Sequence, residues 1–190
     1  ARVMVNRIWQ YHFGRGIVRS SSDFGFQGDK PTHPELLDWL AIRFMESGWD
    51  IKAMHKLIMS SDAYRRSSAP NDDWINQDPL NNYFWRFDMR RLGSEEVRDS
   101  VLAAKGTINL NIGGPSVTPP LPEIILATAS QKGKGWGPST PEQANRRSVY
   151  VKVKRSMHMP LLINHDMADT DSTCPVRFTT TVPTQALNML

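Results

Sequence analysis

Apolar side chains recur at helical spacing from the start of the chain. Val5, Ile8, Trp9 and Phe13 share one face, and Gly14 and Gly16 close the run. The pattern predicts a helix over residues 2–13. "IVRSSSDFGFQGDKP" follows as a loop rich in Ser, Gly and Asp. Thr32, Pro34 and Glu35 then have the spacing of a capping box, in which hydroxyl and carboxylate each take an unpaired backbone N–H. Leu36, Leu37, Leu40, Phe44 and Met45 form the apolar stripe of the helix behind it, which Gly48 ends. Asp50 is placed to cap a further helix with Ile51, Met54, Leu57 and Ile58 on its buried face. The short connection predicts that these two helices pack antiparallel or steeply crossed. "LNNYFWRF" reads as an aromatic, partly buried stretch after a loop. A fourth helix is expected from Gly93 or Ser94 to about Lys105, with Val97, Val101 and Leu102 inward.

Beyond Gly106 the pattern changes. Residues 107–145 are rich in Gly, Pro and Ser and read as a long irregular excursion, a kind of segment that is often functional or mobile. "SVYVKVKR", residues 148–155, alternates Val149, Val151 and Val153 with Tyr150, Lys152 and Lys154, which predicts a strand. Its expected partner lies around Phe87–Leu92. Pro183 opens a final helix. The fold class expected is mainly α: one helical domain over 1–190 with a small β element at about 148–155. Helical periodicity runs into both ends, so the chain reads as a piece of a longer polypeptide cut within helices.

Composition narrows the class. With 190 residues, 39% of them hydrophobic, the chain can bury one good core. No run approaches the eighteen apolar residues of a membrane span. A single cysteine permits no internal disulfide. Net charge is +4, and the cations cluster: Lys132, Lys134, Arg146, Arg147, Lys152, Lys154 and Arg155 face one acid, Glu142, within residues 132–155. Such a run is either a solvated face or a site for an anionic partner. Arginine forks suit carboxylate, sulfate or phosphate, so Arg146, Arg147 and Arg155 are the candidate anion-binding residues.

Two further groups could carry chemistry. His12, Arg15, Arg19, Asp23, Asp29 and His33 gather around the first loop, and His12, Asp23 and His33 are the candidates for acid–base work. A cation near a helix end is also favoured by the dipole, which accounts structurally for His12 and Arg15. "HDMADTDSTC" packs His165, Asp166, Asp169, Asp171 and Cys174 together. Zinc lacks two more N or S ligands there. A calcium site on Asp166, Asp169 and Asp171 is a minority reading, because the loop has no Gly turn and no distal Glu. A catalytic thiol would need a His and a carboxylate folded against Cys174. The main reading is a polar turn that docks the last helix.

Several stretches in order carry a resemblance: "NRIWQYHFGRGIV", "DFGFQGDKPTHPELLDWLA", "GWDIKAMHKLIMSSDAYR", "MRRLGSEEVRDSVL", "GGPSV", "RRSVYVKVKR" and "TTTVPTQALNML". Together they resemble the domain of unknown function numbered 1553, over nearly the whole chain. The resemblance implies the C-terminal domain of a large exported planctomycete protein that often carries a c-type cytochrome domain. It implies no reaction. The C-x-x-C-H signature of haem attachment is absent here, so any haem is expected in another domain and no cofactor in this segment.

Two functions follow as expectations. The first is a noncatalytic scaffold and recognition module that binds anionic glycan or partner domains of its parent. The alternative is a hydrolase or redox enzyme acting on polysaccharide or its breakdown products through the His12/Asp23/His33 region. Nucleic acid fits less well, because no reading motif accompanies the basic run.

Overall fold

The computed structural model describes residues 1–127, 135–137 and 139–189. Lys132, Lys134 and part of the expected excursion lie outside the described residues. The chain is mainly helical, with no sheet among the described residues, and falls into two compact units, Ala1–Arg90 and Arg91–Leu190. No described helix is long and apolar enough to cross a membrane.

The first unit contains α1 (Arg2–Phe13), α2 (Pro34–Glu46), α3 (Ile51–Met59), α4 (Asp62–Arg65) and α5 (Asp72–Gln77). Both α2 and α3 pack on α1. The predicted stripe of α1 is buried, and it meets Ile17, Val18, Leu37, Leu40, Phe44, Met54, Ile58 and Phe84 in one core. Aromatic rings build its centre. Trp9 stacks on Phe13 at 4.3 Å, and Phe84 meets both rings edge-on at 5.2 Å. Such pairs add about 0.5–1.5 kcal/mol each beyond burial. Asn6 is buried within this apolar set because its amide takes both backbone groups of Val18, at 2.8 and 3.1 Å. That clasp folds the chain back after α1. Gly16 is required there: a Cβ would meet the Asn6 amide at 2.5 Å.

Two local expectations change. The Thr32–Glu35 capping box does not form. Thr32 gives its amide and hydroxyl to the Ile17 carbonyl, at 2.9 and 3.2 Å, so a long-range tie takes the cap's hydroxyl. His33 is the N-cap and makes no side-chain cap bond; Pro34, in the first turn, has no N–H to satisfy. The apolar stripes of α2 and α3 are also narrower than the pattern implies. Met45, Ile51 and Leu57 are exposed. The Asp50 cap is present, accepting from the Ala53 amide at 2.9 Å.

The second unit contains α6 (Ser94–Ala104), α7 (Glu123–Ala127), α8 (Pro141–Ala144), a 3-10 turn (Ser148–Tyr150), α9 (Pro160–Asn164) and α10 (Pro183–Leu187). Its core is a smaller apolar group: Val117, Leu121, Trp136, Val151, Met157 and Leu162. Val101, expected inward on α6, is exposed, whereas Arg98 is buried. The Arg98 guanidinium donates to the carbonyls of Ala144 and Arg146, at 2.6 and 3.0 Å, and to the Ser148 hydroxyl at 3.0 Å. Asp99 takes the Ser148 amide at 2.7 Å.

The predicted strand at 148–155 is corrected. Its first residues form the 3-10 turn; Val151 bridges to Val117 rather than around Phe87–Leu92, and Lys154 bridges only to the nearby Met157. The bond pair runs from Val117 N to Tyr150 O and from Lys152 N to Val117 O, both 2.8 Å. The turn breaks the two-residue alternation. Val151 is buried while Val149 and Val153 are 70% and 62% exposed. The excursion likewise holds two short helices, α7 and α8, inside the span read as irregular.

Candidate functional site

The three acid–base candidates fall into separate hydrogen-bond sets. Asp23 turns back on its own loop and accepts from the Gly25 amide at 2.8 Å. His33 bonds the Thr32 hydroxyl and packs on Tyr83 and Phe84. His12 reaches His55 on α3, with 2.8 Å between His12 Nε2 and His55 Nδ1, and packs edge-on to Tyr64 of α4. Burial first, then His55 and Arg90, pushes the His12 imidazole below its ordinary value. Burial, then Arg19, does the same to His33. Arg15 and Arg19 are tied to the turn after α5, at Asn81 O and Asn82 Oδ1, both 2.7 Å, and Arg15 lies 3.3 Å from Asp88.

The arginines expected to bind an anion have internal partners. Arg146 is buried over the Tyr150 ring, 3.7 Å from its centroid, and donates to the carbonyls of Asn111, Gly113 and Pro115. Arg147 lies 3.7 Å from Asp99, and Arg155 pairs with Asp171 at 2.8 Å on the surface. These contacts do not converge on one point. Arg146 therefore shapes the second unit from inside, while Arg147 and Arg155 lie beside acids.

In "HDMADTDSTC" each acid also has its own task. Asp166 accepts from the amide and hydroxyl of Thr180, at 2.9 and 2.7 Å, with Arg91 at 3.5 Å. Burial alone would raise its carboxyl; the Thr180 bonds and Arg91 outweigh that and hold it below the usual range. Asp169 closes a turn onto the Asp171 amide and Ser172 hydroxyl. His165 is buried against the Leu161 carbonyl at 3.0 Å, and Cys174 Sγ lies 3.4 Å from the Val176 carbonyl. Among the described residues no three His, Cys, Asp or Glu side chains are grouped to hold a metal ion. Gln185 of α10 donates to Asn164 O at 2.8 Å, which ties the last helix to the end of α9.

A groove between α2 and α3 was not apparent from the chain pattern. It has a volume of about 440 Å³ and is lined by Trp39, Arg43, Glu46, Ser47, Ala53, Met54 and Leu57. Trp39 is 46% exposed, and the Arg43 guanidinium lies 5.6 Å from its ring centroid. Arg43 and Glu46 form a loose pair at 3.6 Å with both side chains largely in solvent. The helix explains the grouping: residues 39, 43 and 46 are spaced four and three apart and share a face. The sequence carried this signal as an indole on the polar side of α2. The His12–His55 contact had no local signal, because it joins residues 43 apart in the chain.

The geometry thus defines a mainly helical protein with an aromatic-rimmed groove and a histidine pair in its first unit. The chain belongs to the family described as PSD1, protein of unknown function (DUF1553), whose model matches residues 1–190. No curated protein and no solved structure matches it.

Proposed function

We propose that the chain is a noncatalytic scaffold and recognition module whose α2–α3 groove takes a sugar ring bearing an anionic group. The parent we infer is an exported, cytochrome-c-linked multidomain protein of planctomycete type. The observation that carries the reading is the Trp39 groove. An indole face offers a sugar an apolar plane, and the Arg43–Glu46 pair beside it offers a donor fork and an acceptor. The groove volume falls in the range of small-ligand sites. Arg43 is bound only loosely by Glu46, so a carboxylate or sulfate can compete for it. A hydrolase or redox reaction through His12, Asp23 and His33 has less support, since their contacts are disjoint.

Titration of the whole chain with sulfated, uronate-containing and neutral oligosaccharides tests this by calorimetry. The anionic sugars should bind, Trp39→Ala should abolish binding, and Arg43→Gln should erase the preference for anionic over neutral sugar. No binding by any of them, or binding untouched by both substitutions, sinks the reading.

A further inference from the structure

The His12–His55 contact ties the C-terminal end of α1 to the middle of α3. A nitrogen-to-nitrogen bond between two imidazoles needs one ring to donate and the other to accept. It therefore survives the first protonation of the pair but not the second, when both nitrogens carry hydrogen and both rings carry charge. The surroundings make the second proton costly. Arg90 acts on His12 as a further positive charge. On the α3 side, Lys52 and Lys56 line the same open cavity as His55, with Asp50 the one carboxylate among them. That carboxylate is engaged in capping Ala53. Tyr64 of α4 packs edge-on to the His12 ring from the remaining side.

We propose that His12 and His55 form an acid-operated latch that controls the Trp39 groove. With at least one ring neutral, the latch holds α3 against α1. With both rings protonated, the bond is lost, two cations face each other, and α3 is released. Ala53, Met54 and Leu57 of α3 form one wall of the groove, so release dismantles it. Met54 and Ile58 leave the core at the same time, which opposes opening and keeps the latch closed near neutral pH. The groove's role as a sugar site rests on the function proposed above; the latch itself does not.

Hydrogen exchange of the whole chain, without any sugar, reads the latch directly. Between pH 7 and about pH 5, the range of histidine charging, α3 amides should lose protection beyond the intrinsic pH effect while α2 amides keep theirs. The open population should rise by up to about tenfold per pH unit for one extra proton taken up on opening. Gln can keep a bond to His12 without titrating, so His55→Gln should flatten this response. An unchanged response in His55→Gln, or flat α3 protection in the native chain, overturns the latch. If the variant does not fold, imidazole NMR on the native chain decides: the His12 and His55 ring signals should change together as pH falls, in step with the loss of α3 protection. Ring signals that change independently of each other and of α3 protection overturn it. Sugar binding at pH 7 tests the groove separately, so either idea can fail alone.

Discussion

The two units are held together by different means. In the first, long amphipathic helices bury a continuous aromatic and aliphatic core around Trp9, Phe13, Phe44 and Phe84. In the second, short helices and extended segments surround a smaller apolar group, and buried arginines bind the backbone that regular strands would otherwise pair. The difference follows from the accounting of polar groups. Backbone within a helix satisfies itself, whereas irregular backbone that becomes buried must find other donors. Arg98 and Arg146 supply such donors to carbonyls at 111–115 and 144–146.

Truncation tests this contrast with the largest expected effects. Phe44→Ala removes a ring that is 1% exposed and should cost about 3–5 kcal/mol. Arg98→Ala should cost roughly 3 kcal/mol, because it leaves the Ala144 and Arg146 carbonyls unpaired while removing no large apolar surface. Urea unfolding followed by far-UV circular dichroism measures both. A loss below about 0.5 kcal/mol for Arg98→Ala would reduce that residue to an ordinary surface cation, and the contrast would fail. Arg146→Lys is a finer probe. It keeps the charge but not the fork that reaches three carbonyls at once, and should cost about 1–2 kcal/mol.

The same contrast explains what could be read from the chain. Helical periodicity located α1, α2, α3 and α6, because burying one face needs only a local repeat. The Asp50 cap was legible for the same reason. The Thr32 box was not, since Ile17, fifteen residues earlier, competes for the same hydroxyl. Alternating valines at 149, 151 and 153 predict a strand, but the 3-10 turn over Ser148–Tyr150 takes in the first of them and breaks the alternation. Arg146 reads from the chain as a candidate anion-binding residue, because nothing local marks a side chain that will be buried over Tyr150. The groove was half legible. Trp39, Arg43 and Glu46 lie on one helical face in the sequence, but the α3 wall comes from packing.

A smaller effect separates local from long-range caps. Asp50→Ala should cost about 1 kcal/mol, the usual worth of an N-cap carboxylate. Thermal unfolding should show the loss in Asp50→Ala and its near-recovery in Asp50→Ser, which restores an acceptor for the Ala53 amide. If Ser restores nothing, the cap is not what stabilises the start of α3.

The smallest expected effect concerns His33, where burial and Arg19 favour the neutral ring. The folded state then holds the imidazole proton less tightly than the unfolded chain does, with its reference value near 6.5. Below that value the unfolded chain takes up more protons, so stability falls as pH drops. The His33 contribution is complete above the unfolded value and is lost as pH falls through the lower folded one. Since the ring is partly open to water, solvent screening keeps this contribution small. His33→Gln removes the titration but not the position at the start of α2. Its stability, measured by urea midpoints from pH 7 down to about pH 5, should fall less steeply than that of the native chain. Parallel curves would mean that the ring titrates alike in both states, and that Arg19 and the packing against Phe84 leave its charge unpenalised.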